Sequence, residues 1–280
     1  LIALEQLGRN QSITASKLLA AVQRDHRGLR MKAASILADR PELAAESISL
    51  LQSLWKRLET DNKTDSKILA QLLNPWRDTE AVSRLVNDWI TKASSENLAR
   101  QRWLASQLSS ITSKPLPADQ ARSITLWLRE ANGDVSKTLI KSLAEMQFER
   151  SAAQRIRKEL LTQAATSSPI KASLHLLTAL PSNTRIENMS LERQLIDAFL
   201  ADSDHTATAA DALTRVKLST DAGKSIVESL DHVATRHLMT AVEAVRGADE
   251  PSLDRQMLNR LADMPAARSL PDGFLSSLYK

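Results

Sequence analysis

The sequence predicts an all-α chain, a right-handed α-α solenoid of about sixteen short helices paired as antiparallel hairpins. Three observations carry this expectation. Apolar residues recur at three- and four-residue spacing through most of the 280 positions, as amphipathic helices require. Helix-start and helix-stop residues punctuate that pattern roughly every 15 to 20 residues, one helix plus a short turn. Hydrophobic residues make up 42 % but aromatics only 3 %, and there are 6 glycines, so the apolar surface is aliphatic and suits helices better than a β-sandwich.

Taken in order, Leu1-Ile2-Ala3-Leu4-Glu5-Gln6-Leu7-Gly8 reads as the end of a helix without the basic start of a signal peptide, and predicts a piece excised from a larger protein. From Pro41 to Leu58, a proline suited to a first helical turn precedes Leu43, Leu50, Leu51, Leu54, Trp55 and Leu58 in one stripe. Further stripes are Val82, Leu85, Val86, Trp89 and Ile90; Leu98, Leu104, Leu108 and Ile111; Ala121, Ile124, Trp127 and Leu128; and Val135, Leu139, Leu143 and Met146. The second half repeats the pattern: Ile170, Leu174, Leu177 and Leu180; Leu191, Leu195, Ile196 and Phe199; Ile226, Val227 and Leu230. It closes with Leu238, Val242 and Val245, then Leu253, Met257, Leu258 and Leu261.

Between the stripes, Asn132-Gly133-Asp134 offers a left-handed glycine at a helix end and then a capping aspartate. Ser167-Ser168-Pro169 and Asp249-Glu250-Pro251 offer capping side chains before a first-turn proline. Lys114-Pro115-Leu116-Pro117 is a firmer break. The polar stretches Glu59 to Lys63 and Pro181 to Asn188 are too short to separate domains, so residues 1–280 are expected to form one continuous array. Helices of about 12 to 17 residues favour a solenoid over a fully wrapped bundle, which wants longer ones.

The segment from Asp25 to Leu37 resembles the inner-helix signature of HEAT repeats, with Asp25 in the turn, Leu29 followed by Arg30, then Ala33 and Leu37. Leu29, Ala33 and Leu37 form the packed stripe, and the resemblance implies that Arg30 crosses to the acidic turn of an adjacent repeat. Ile170-Lys171 with Leu174, and Val135 with Leu139, are weaker echoes without the Ala. The last third, from Ala209-Ala210-Asp211-Ala212-Leu213 through Asp221-Ala222-Gly223-Lys224 to Leu270-Pro271, is similar to helical-repeat segments of large exported bacterial proteins of the dehydrogenase and haem-domain type. That resemblance implies a spacer or docking array between redox modules, in an exported or periplasmic compartment; without it a cytoplasmic location is expected.

Composition bounds the chemistry. The absence of cysteine excludes disulfides, thiolate metal sites, cysteine nucleophiles and covalent haem attachment within these residues. No apolar run approaches the roughly 20 residues that span a bilayer, so no membrane insertion is expected. His232 and His237 are five apart, about 140° around a helix, and do not make a zinc pair. Asp202-Ser203-Asp204 begins like a calcium loop, but Ala207 stands where glycine belongs and Leu213 where a bidentate glutamate belongs, so Asp204 reads as a helix cap. Of two stretches near a magnesium-diphosphate box, Asp61-Asn62-Lys63-Thr64-Asp65 sits in a polar turn, and Asn87-Asp88 with Thr91 has Glu96 one place out of register. No nucleophile elbow, phosphate-cradling loop or dinucleotide fingerprint is present, and no catalysis, cofactor or small-molecule substrate is expected.

What remains is binding. The net charge of +4 combines +5 up to position 140, where there are 20 basic and 15 acidic residues, with −1 beyond it. Arg27 and Arg30 around the HEAT-like turn, and Arg155 and Arg157 on one predicted helix, are candidates for gripping phosphates or acidic partners. Trp55, Trp89 and Trp127 sit on stripes and read as core; Trp76 beside Pro75, and Trp103 off its stripe, read as exposed hot spots for a partner. The leading expectation is a non-catalytic scaffold that binds a protein or neighbouring domains of its own chain; the alternative is a nucleic-acid-binding solenoid using the basic clusters.

Overall fold

A computed structural model describes residues 14–271 except 59–62, 113, 132, 202 and 249. The helix end read at Leu1–Gly8 therefore lies outside the described residues, as do most of the break at Glu59 to Lys63, Asn132 and Asp249 of two predicted caps, and Asp202 of the calcium-like loop. Fifteen α-helices are described, with almost no strand, so the chain is all-α. Among the described residues no helix is long and apolar enough to cross a membrane. Contacts gather the helices into two compact units, Leu1–Ala152 and Ala153–Lys280.

The first unit holds α1 (Ala15–Val22), α2 (Arg27–Ala38), α3 (Ile48–Arg57), α4 (Lys63–Trp76), α5 (Glu80–Thr91), α6 (Leu98–Ile111), α7 (Ala118–Glu130) and α8 (Gly133–Ala144). Sequence neighbours pair, α1 on α2 and α3 on α4, and from α2 onward the helices also pack on their second neighbours. One row runs α2, α4, α6, α8 and the other α3, α5, α7. The stripes explain the arrangement: Val82, Val86 and Ile90 of α5 and Ile124, Trp127 and Leu128 of α7 are buried. A short helix has too little area to bury its stripe against one partner, so each takes two.

Two boundaries differ from the expectation. The helix predicted from Pro41 is a 3-10 turn, Pro41–Leu43, and α3 begins only at Ile48. Pro75 does not end its helix either; it sits next to last in α4, where a missing N–H costs one hydrogen bond near an end that is already terminating. Gly133 has φ of 55°, the left-handed conformation read from the sequence, but it opens α8 and puts Asp134 inside the first turn instead of at the cap.

A long helix, α9 (Arg150–Thr166), begins at the boundary between the units. The second unit continues with α10 (Ile170–Thr178), β1 (Thr184–Arg185), α11 (Met189–Leu200), α12 (Thr206–Leu213), β2 (Val216–Lys217), α13 (Thr220–Glu228), α14 (Leu238–Arg246) and α15 (Pro251–Asp263). Second-neighbour packing recurs, α10 on α12 on α14 and α11 on α13 on α15, and α11 meets α12 as α14 meets α15. Pro251 opens α15 as read. The serines before Pro169 do not cap α10; Ser167 Oγ donates back to Gln163 O at 2.7 Å, closing the preceding helix. Asp204 is not the cap of α12, whose N-cap position is taken by His205.

The loops add a small regularity. Thr184 lies opposite Val216 and Arg185 opposite Lys217 in a parallel pair of two-residue strands. In the first unit Leu116 makes a lone parallel bridge to Phe148, with Leu116 N donating to Gln147 O at 2.8 Å and Glu149 N to Leu116 O at 3.0 Å. Residue 148 follows 116, and residue 216 follows 184, by the same 32 positions. Each bridge thus ties the loop entering one hairpin to the loop entering the next.

Candidate functional site

In the first unit, three tryptophans from three helices meet. Trp55 of α3 stacks on Trp89 of α5, centroids 4.5 Å apart and planes within 8°. Trp103 of α6 stands edge-on to Trp55 at 5.9 Å. Arg100, one turn before Trp103, lies over the Trp55 ring, donates from Nε to Trp55 O at 3.1 Å and from Nη2 to Lys56 O at 2.9 Å, and pairs with Glu96 at 2.6 Å. It therefore closes the carbonyl end of α3 with a cation, the sign that end favours.

The outer side of this cluster is an open groove of about 750 Å³ crossing α4, α6 and α8. Ser66, Leu98, Arg102, Trp103, Asp134 and Thr138 line it. Leu98 is 51 % exposed there, although its spacing placed it on the buried stripe of α6. Arg102 and Asp134 approach to 3.7 Å across the groove. Trp103 keeps 9 % of its surface exposed, and its indole N–H is shielded from solvent with no acceptor among the described residues.

The other sequence-derived candidates land in different places. Trp76 is not an exposed hot spot: because α4 runs through Pro75, its indole is carried into the core and is 0 % exposed. Arg30 is not a groove residue either. Its Nε donates to Val22 O at 2.8 Å and its Nη2 pairs with Asp65 in the first turn of α4, leaving it buried. Arg27, three residues earlier, is exposed.

In the second unit, Arg157 lines a groove of about 540 Å³ between α9 and the segment from β1 into α11. Lys158 and Arg185 stand beside it, and Leu161, Ile186 and Leu191 form the apolar part of the lining. Arg155 is exposed and outside the groove, since two positions along a helix turn a side chain by about 200°. Arg185 went unnoticed in the sequence because it joins Arg157 only through the return of the chain along β1. Among the described residues no three His, Asp or Glu side chains gather as a metal-holding group.

No protein-family model, curated protein or solved structure matches this chain. The chain is an all-α protein in which helices pack on sequence neighbours and, in both units, on second neighbours.

Proposed function

We propose that this chain is a non-catalytic interaction scaffold, a solenoid of HEAT-like hairpins whose groove beside Trp103 docks a protein partner or a neighbouring domain. The observation that carries the reading is Leu98 together with Trp103: half-exposed aliphatic surface next to an anchored, nearly buried indole. Hot spots have this form, a rigid aromatic in a shielded pocket rimmed by polar groups, here Arg102 and Asp134. Second-neighbour packing and the 32-residue span common to the two loop bridges support the solenoid. Docking of neighbouring domains is also what the resemblance of the last third to spacer arrays implies. The nucleic-acid reading draws less support, because the charge of Arg30 is engaged by Asp65 instead of facing a groove.

The test is partner capture from the native host followed by cross-linking to locate the contact. Leu98→Glu should abolish capture, and Leu126→Glu, at an equally exposed leucine on α7, should not. Equal capture by both variants, or cross-links remote from α6, would overturn the assignment.

A further inference from the structure

The second groove carries its own chemistry. Gln154, Arg157, Lys158, Leu161, Thr162 and Ala165 lie along one face of α9, and the opposite wall brings Arg185, Ile186 and Leu191. Among the described residues none of Arg157, Lys158 and Arg185 has a carboxylate within ion-pair reach, whereas most arginines of this chain that are half-buried are paired, Arg30 with Asp65 and Arg100 with Glu96. Arg157 is the most telling of the three: its Nε is shut off from water and has no acceptor among the described residues. A guanidinium N–H held that way forfeits solvent hydrogen bonding without a replacement, and the charge of Arg157 stands in the groove lining without a carboxylate opposite it among the described residues.

We infer that this groove binds an acidic peptide segment, with carboxylates on Arg157, Lys158 and Arg185 and apolar side chains between them on Leu161, Ile186 and Leu191. This deepens the interaction reading above and rests on it. The alternation of cation and aliphatic surface decides for peptide over nucleic acid. A nucleic-acid strand presents phosphate after phosphate and needs an unbroken basic track. Here the cations are separated by apolar lining, and Glu187 in the same wall would face a phosphate. A peptide carrying acidic and aliphatic residues in turn meets both surfaces and can leave Glu187 to its own backbone N–H groups.

The experiment measures fluorescence anisotropy of the full chain with a labelled dodecapeptide of three Glu-Leu-Glu-Gly repeats. The same peptide with Gln for Glu, and a labelled oligothymidylate of equal length, are the comparison probes. Saturable binding of the acidic peptide is expected, weaker by at least about tenfold for the Gln peptide and for Arg157→Gln/Arg185→Gln. Arg155→Gln, which removes a charge from the same helix outside the groove, should leave the affinity unchanged. The Gln peptide tests the charge requirement on the unaltered protein, so the result does not depend on how a variant folds. Absence of saturable binding, an equal loss in Arg155→Gln, or tighter binding of the oligonucleotide would overturn the proposal. Leu98→Glu should bind the peptide normally; a negative peptide result with capture intact at Trp103 would strike this groove alone.

Discussion

Arg30 and Asp65 are joined across two helices, the guanidinium of α2 reaching the carboxylate in the first turn of α4, and both are buried. Asp65 also forms an ion pair with Arg57, Nε to carboxylate 3.4 Å, while Arg30 keeps the terminal carbonyl of α1 through Val22 O at 2.8 Å. Four helices thus meet at one carboxylate and one guanidinium. Removing one partner leaves a desolvated charge behind, so Asp65→Ala should cost about 3–5 kcal/mol. The double variant Arg30→Met/Asp65→Leu should lose less than Asp65→Ala alone, because hydrophobic groups of similar volume restore packing without a stranded charge. Urea unfolding midpoints of the three proteins check the order.

Arg100 holds α3 and α6 together by a different means, two carbonyls, one carboxylate and one ring. Arg100→Ala should lower stability by about 2–3 kcal/mol. Arg100→Lys should recover little of that, since a single ammonium cannot reproduce a planar fork that spans Trp55 O, Lys56 O and Glu96 while lying on an indole. The stacked Trp55 and Trp89 supply the readout. Their near-ultraviolet circular dichroism should weaken in Arg100→Ala at temperatures where the far-ultraviolet signal is unchanged.

Stripe reading recovered the helices because burial on one face is a local, periodic property, and Leu139, Leu195 and Val242 are buried where their spacing placed them. It failed where a helix has more than one buried side. On α6, Trp103, Leu104 and Ala105 are consecutive and all buried, because the helix is held by α4, α8 and the Trp55 ring at once. No single stripe describes such a helix, and the spacing therefore puts Leu98 inside and Trp103 outside. Trp76 was misplaced for a local reason, a proline near a helix end being tolerated more readily than one in the middle. The groove of Arg157 and Arg185 was out of reach altogether, since two-residue strands carry no alternation to detect and the pairing that joins the walls is long-range.

Gly223 marks a close approach within the second unit. A methyl group there would stand 3.0 Å from Leu253 Cδ1 and 3.4 Å from Ala248 Cβ, so α13 and the start of α15 are nearly as close as side chains permit. Gly223→Ala gains about 0.5–1 kcal/mol of helix preference and sets it against a small shift of one leucine methyl, and should be near neutral. Gly223→Val has no such escape and should cost about 1–3 kcal/mol. Thermal melts of the pair separate a backbone requirement for glycine, under which both would fall, from a steric one.

His237 should give the second unit a modest pH dependence. Its ring stands edge-on to Phe199 at 6.3 Å, and Arg236 Nε approaches His237 Nε2 at 3.1 Å. Burial, and then the charge of Arg236, lower its pKa below the usual 6.5, with Asp211 opposing them. The unfolded chain therefore takes up the proton first as pH falls, and unfolded molecules bind more protons than folded ones below about 6.5. Stability is full above that value and declines as pH drops through it towards the lower pKa of the folded state. His237 is half-buried and Asp211 opposes the shift, so the effect is small and is best read as a difference. Between pH values of about 7.5 and 5.5, the melting temperature of the wild type should fall further than that of His237→Gln, which cannot titrate. Parallel curves for the two proteins would assign the acid sensitivity to other groups.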